Sequence, residues 1–243
     1  GSSVTVRLPE HLANGSYLFS WRVTSEDGHP VNGTIGFAIG AASGPIAAPT
    51  TDATLAAAIW LVRALQYMAL FLGVGSLAFS TLAPPPHPPR AAQGLVIVGL
   101  VLTPVAIGLQ GLDLLGLSLQ ALTTDAPWSA AIASPYAQTE AVLALAFLLA
   151  LIPVPAMAIV AAAAGALAPT LSGHASTASP QLLMRGAVLV HMASLMFWLG
   201  ALAPLAAALL RNDTRLLLRF SRIIPWIIGT LLLSGLTLAL VQL

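Results

Sequence analysis

The pattern of apolar and polar positions changes character once, near residue 40. Before that point, residues 4–8, 17–23 and 33–39 alternate apolar with polar or run through β-branched and aromatic side chains. Turn formers bound each run: Asn14 with Gly15, Asp27 with Gly28 and Pro30, and Asn32 with Gly33. Such runs between such turns predict strands, so residues 1–40 read as three strands of a small β-sandwich remnant. Three strands bury little area and leave an edge unpaired. The sheet therefore either lacks strands or docks on something else.

After a Gly/Ala/Pro/Ser-rich linker at 41–51, the pattern turns into long apolar runs. Residues 52–243 divide into six expected spans, each near the ~20 residues that cross a hydrocarbon core. They cover about 54–81, 93–116, 136–152, 155–172, 181–210 and 220–242. The third and fourth are either two short spans meeting at Pro153-Val154-Pro155 or one long kinked helix. Charge separates the two readings. With the β-region outside, an even number of spans puts Arg90 on the same, inner side as Arg211, Arg215, Arg219 and Arg222, as the positive-inside rule requires. One long helix would send that second Arg cluster outward, so six is the expectation. The fold class is mainly α, a polytopic bundle behind a β remnant. Two connections stand out. Residues 84–89, with His87 among prolines, read as a stiff polyproline connector, and 117–135 as a long external loop with Trp128 as an interface anchor.

Composition agrees with a membrane chain: 58% of residues are apolar and 7% charged, against roughly 25% charged in soluble domains, with a mean hydropathy of +0.91. The net charge of +1, from nine Arg and no Lys, offers no basic stripe for nucleic acid. The absence of Cys removes disulfides and thiolate sites. No phosphate loop, nucleophile elbow or zincin helix is present, so the chain reads as a non-enzyme with no nucleotide partner. Its opening Gly1-Ser2-Ser3 is not a signal-peptide pattern.

The chemistry-bearing residues gather at 171–205. His174 follows a Ser-Gly pair at the expected outer mouth, and His191 lies within the fifth span. An ionisable group inside a span is costly unless partnered, which makes it a functional candidate. Met184, His191 and Trp198 are seven residues apart and share a helix face, whereas Met192 and Met196 fall off that line. Met184 is thus the aligned soft neighbour, ~10 Å from His191, and His191 lies ~15 Å deeper than His174. These are successive stations, not ligands of one ion. Methionine at helical spacing is also ordinary core filler, a midplane His can simply bond a neighbouring span, and Phe197 to Gly200 can be helix packing. Arg63 lies too deep to snorkel, and Glu140 is the available carboxylate, so an Arg63–Glu140 pair or a water-lined cavity around Arg63 is expected. Arg185 reads as an anchor and His11 as a surface residue.

The first 40 residues resemble the end of a CopC-type copper-binding domain. The resemblance rests on Leu8-Pro9, Asn14 to Tyr17, Trp21-Arg22-Val23, the run Ser25 to Pro30, then Gly33 and Phe37. The apolar part resembles CopD, on Arg63 with Tyr67, Ser172 to Ala175, His191 with Phe197 to Gly200, Arg219 to Ser221, and Ser234-Gly235. The family's early CopC strands and amino-terminal His ligand are absent, as are two later CopD spans. The sequence thus reads as the middle of a longer fusion protein or a truncated form.

The resemblance implies Asp27 and His29 as Cu(II) ligands, since that ion suits N and O donors. The local alternative is a turn capped by Asp27 beside an exposed His29. It also implies copper, as Cu(I) or Cu(II), moving past His174, His191 and Met184 in a bacterial inner-membrane protein whose N-terminal domain is periplasmic or extracellular. The expected partners are the copper ion, the lipid bilayer and a periplasmic copper carrier. Two other readings remain open: a haem-binding electron-transfer or metal-reducing bundle ligated by His174 and His191, and a non-transporting subunit that recruits a soluble copper carrier.

Overall fold

The computed structural model describes residues 5–9, 11–25, 30–40, 52–82, 90–173, 178–212 and 214–242. The N-terminal part forms one antiparallel ribbon, β1 (Gly15–Thr24) with β2 (Pro30–Ile39), in register from Gly15 opposite Ile39 to Thr24 opposite Pro30. Tyr17 faces Phe37 across it with ring centroids 5.5 Å apart, the aromatic cross-strand pairing that stabilises such ribbons. The expected strand at 4–8 does not form: residues 5–9 lie outside any strand. Among the described residues no second sheet covers the two strands, and Trp21, Val23, Val31 and Ile35 are exposed. The sandwich is therefore a hairpin here.

The helical part begins with α1 (Ala53–Leu82). Its Asp52 N-cap accepts from the backbone N–H of Thr54 and Leu55, satisfying two donors that have no partner in the first turn. A π-helical stretch at Ala69–Val74 interrupts α1, and Ala69, Leu70 and Val74 there are wholly buried at the centre of the main core. Then come α2 (Arg90–Leu115), α3 (Asp125–Ile132), α4 (Pro135–Ala150), α5 (Pro155–Leu167), α6 (Gln181–Leu210) and α7 (Thr214–Gln242). Val96 of α2, Phe147 of α4, Ala161 of α5 and Met196 of α6 close around the π stretch.

Among the described residues, α1, α2, α6 and α7 are each long and apolar enough to cross a membrane, and α3 with α4, bent by 84°, would make a fifth span. Four spans, or five with the bent pair, do not establish the expected six, and the difference lies at the expected third and fourth positions. There α4 has 16 residues and α5 has 13, extended by a 3₁₀ turn at Ala168–Thr170. The one-long-helix alternative fails as well. Thr139 Oγ1 lies 2.7 Å from Ser172 Oγ, so the far ends of α4 and α5 meet and the pair folds back on itself. Arg219 on α7 donates to the Leu82 carbonyl at the end of α1, which puts the start of α7 at the same end as the 82–90 connection.

Two close approaches set the helix geometry. At the α1–α6 crossing, a Cβ on Gly200 would lie 2.3 Å from the Gly75 carbonyl carbon, and Ser76 Oγ donates to the Gly200 carbonyl at 2.9 Å. Gly200 thus permits backbone-to-backbone packing, as its sequence context suggested. Phe197 supports the same joint, meeting Phe79 and Phe220 at 5.3 and 6.3 Å. The second approach corrects the 117–135 region. It holds a 3₁₀ turn (Leu119–Thr123) and α3, pressed so tightly on α2 that a Cβ on Gly111 would overlap the Pro127 carbonyl. Trp128 is half-buried, and its Nε1–H donates to the Leu122 carbonyl at 2.9 Å.

Candidate functional site

Of the expected metal residues, Asp27, His29 and His174 lie outside the described residues, as does His87. Strand pairing runs to Thr24 and Pro30 on either side of the Asp27–His29 stretch. Ser172 and Gly173 immediately precede His174, and Gly173 adopts φ 86°, a conformation open to glycine at no steric cost.

His191 is described. It projects from α6 toward α7, half-buried, with Nδ1 3.2 Å from Ser234 Oγ. One turn further along the same seam, Ser194 Oγ lies 3.1 Å from Thr230 Oγ1. Met184, two turns before His191 on α6, is wholly buried. Met192 and Met196 belong to the main core, where a flexible thioether fills space. Among the described residues no group of three or more His, Asp or Glu stands together as a metal cage. His191 and Met184 therefore remain separate positions along one helix.

The ionisable groups of the bundle meet elsewhere. Arg63, Gln66 and Tyr67 of α1, Tyr136, Thr139 and Glu140 of α4, and Ser172 and Gly173 beyond α5 line a cavity of about 180 Å³. Arg63 Nη2 donates to Gln110 Oε1 of α2 at 2.8 Å, and Gln66 Nε2 donates to Glu140 Oε2 at 2.8 Å. The Arg63 guanidinium sits 5.3 Å from the Tyr136 ring centroid, within range of a cation–π contact. Glu140 itself is only 1% exposed. Arg63 and Glu140 border this one cavity, but each bonds its own glutamine, Arg63 to Gln110 and Glu140 to Gln66.

Sequence reading named the two charges and missed Gln66, Gln110 and Tyr136. A signal was present for Gln66: it lies three residues after Arg63, the spacing that places two side chains on one helix face. Nothing in the sequence pointed to Gln110, since its partner is 47 residues away.

Residues 1–40 match the CopC domain family. The copper transport protein CutJ of Bacillus subtilis (strain 168) is 38% identical over 77 residues, a stretch that makes up 31% of this chain and 14% of CutJ. The chain thus matches a small part of that relative's length. No solved structure matches it.

Proposed function

We propose that this chain is part of a copper-handling membrane protein of the CopC–CopD fusion type, in which an external CopC-like region captures copper and a helical bundle passes it inward. The observation that carries the reading is the CopC match over residues 1–40 in the same chain as four helices long and apolar enough to cross a membrane. The similarity to a protein named for copper transport supports the same substrate.

In this reading Asp27 and His29 offer oxygen and nitrogen donors to Cu(II) at the entrance. His174 is the outer station of the bundle and His191 the inner one, with Met184 as a soft neighbour for Cu(I) on the same helix. Sites of one or two ligands bind weakly, and weak sequential sites suit conduction better than a closed cage. With no nucleotide-binding motif, the membrane potential is the available drive, at about 2.3 kcal/mol per charge per 100 mV. The end that carries Arg90, Arg211, Arg215, Arg219 and Arg222 is the cytoplasmic one, so the β-ribbon faces the periplasm or the exterior of a bacterial inner membrane.

Copper accumulation in cells expressing the protein tests this. His29→Ala and His191→Ala are each expected to reduce accumulation at limiting external copper, His191→Ala at every concentration and His29→Ala mainly at low ones. Accumulation equal to wild type in both variants would remove both residues from the route.

A further inference from the structure

We propose that Ser234 is a positioning residue: it holds His191 as the Nδ1-protonated tautomer and leaves the Nε2 lone pair as the atom that meets a metal ion. The argument is a count of protons. A serine hydroxyl has one hydrogen to donate and lone pairs with which to accept. Ser234 Oγ lies 2.7 Å from the Thr230 carbonyl oxygen and 3.0 Å from that of Leu231. Carbonyl oxygens only accept, so the hydroxyl proton points back along α7, as serine commonly does inside helices.

Ser234 then presents a lone pair to His191 Nδ1 at 3.2 Å, and the hydrogen in that contact belongs to the imidazole. The opposite assignment would turn the hydroxyl toward Nδ1 and set two lone pairs face to face at 2.7 Å. The neighbouring contact has the same polarity. Thr230 Oγ1 donates to the Ile227 carbonyl at 2.9 Å, so Ser194 donates to Thr230 across the seam. On both rungs α6 donates and α7 accepts.

Gly235 completes the seat. A Cβ there would lie 3.3 Å from His191 Cε1, so the missing side chain lets the α7 backbone lie against the ring edge. Among the described residues Nε2 has no hydrogen-bond partner. A hydrogen bond at one imidazole nitrogen selects which nitrogen is free to ligate. The tautomer rests on this geometry alone; only the metal step rests on the copper reading.

The test is solid-state NMR of the full chain in lipid bilayers with ¹⁵N-labelled histidine, His191 being assigned by its loss in His191→Asn. The expected spectrum shows a protonated Nδ1 and an unprotonated Nε2 for His191. Ser234→Ala is expected to shift it to the Nε2-protonated form or a mixture, and Ser234→Thr, which keeps a back-bonded hydroxyl, to retain the wild-type pattern. An Nε2-protonated His191 in the wild type, or a spectrum that Ser234→Ala leaves unchanged, would overturn the proposal. Silver(I), a closed-shell stand-in for Cu(I), is then expected to move the Nε2 signal and leave Nδ1 in place. A Nδ1 shift would overturn the assignment of the ligating atom. No shift at either nitrogen would overturn it too and would remove His191 from the copper reading, with the tautomer result intact.

Discussion

Glu140→Ala is expected to destabilise the bundle by about 3 kcal/mol, since it strips the acceptor from a buried amide and removes the carboxylate that shares a cavity with Arg63. Glu140 is 1% exposed, and its carboxylate takes the Gln66 Nε2–H at 2.8 Å. Its removal leaves Arg63 without a counter-charge at the same cavity and leaves the Gln66 amide without its acceptor, a loss of about 1–3 kcal/mol by itself. Glu140→Gln separates the two effects. The amide keeps an oxygen for Gln66 and removes only the charge, so its smaller loss measures the electrostatic share. Thermal unfolding midpoints of the detergent-solubilised protein read both. Arg63→Met combined with Glu140→Leu is expected to recover only the electrostatic share of the loss, since Gln66 and Gln110 then lack their partners, and the cycle of single and double variants gives the coupling. A loss below about 1 kcal/mol for Glu140→Ala would mean that cavity water carries the Arg63 charge and the carboxylate does not.

That prediction could be framed, but not completed, from sequence. An arginine nine residues into an apolar run announces a cost that something must offset, and Glu140 was the carboxylate within reach. The agents of the connection, Gln66, Gln110 and Tyr136, were invisible because a glutamine in a span says only that a polar partner exists. The partner is fixed by how α1, α2 and α4 pack. The helices themselves were legible wherever length and hydropathy suffice: α1, α2 and α6 fall within a few residues of the expected spans. Legibility failed at α4 and α5, where proline-bounded runs of marginal length fit two short spans or one long kinked helix equally well. The Thr139–Ser172 contact at 2.7 Å excludes the single long helix. The strand at 4–8 failed for a related reason, since alternation marks a face suited to a sheet and pairing needs a partner strand. For His191 the position within an apolar run was legible, but its neighbours were not. Ser234 is 43 residues away and met it only once α7 was laid against α6.

Gly200→Ala is expected to cost about 1–3 kcal/mol, as overpacking of a tight contact does, although alanine is the better helix former. The added methyl would lie 2.3 Å from the Gly75 carbonyl carbon and 2.6 Å from its oxygen. Both are backbone atoms that no rotamer change can move, so α1 and α6 must separate. Separation lengthens the Ser76–Gly200 hydrogen bond from 2.9 Å and opens the core where Val74 and Met196 meet. Gly75→Ala acts on the same crossing from the other side, its methyl 2.5 Å from the Met196 carbonyl oxygen. Once either change has moved the helices apart the second adds little, so the double variant is expected to cost less than the sum of the two. Gly94, Gly186 and Gly229 provide the control, because a Cβ at any of them meets nothing within 4 Å. Alanine there is expected to be neutral or to gain up to about 1 kcal/mol from helix propensity. Unfolding midpoints that move the same way in both sets would show that the α1–α6 crossing is not set by backbone contact.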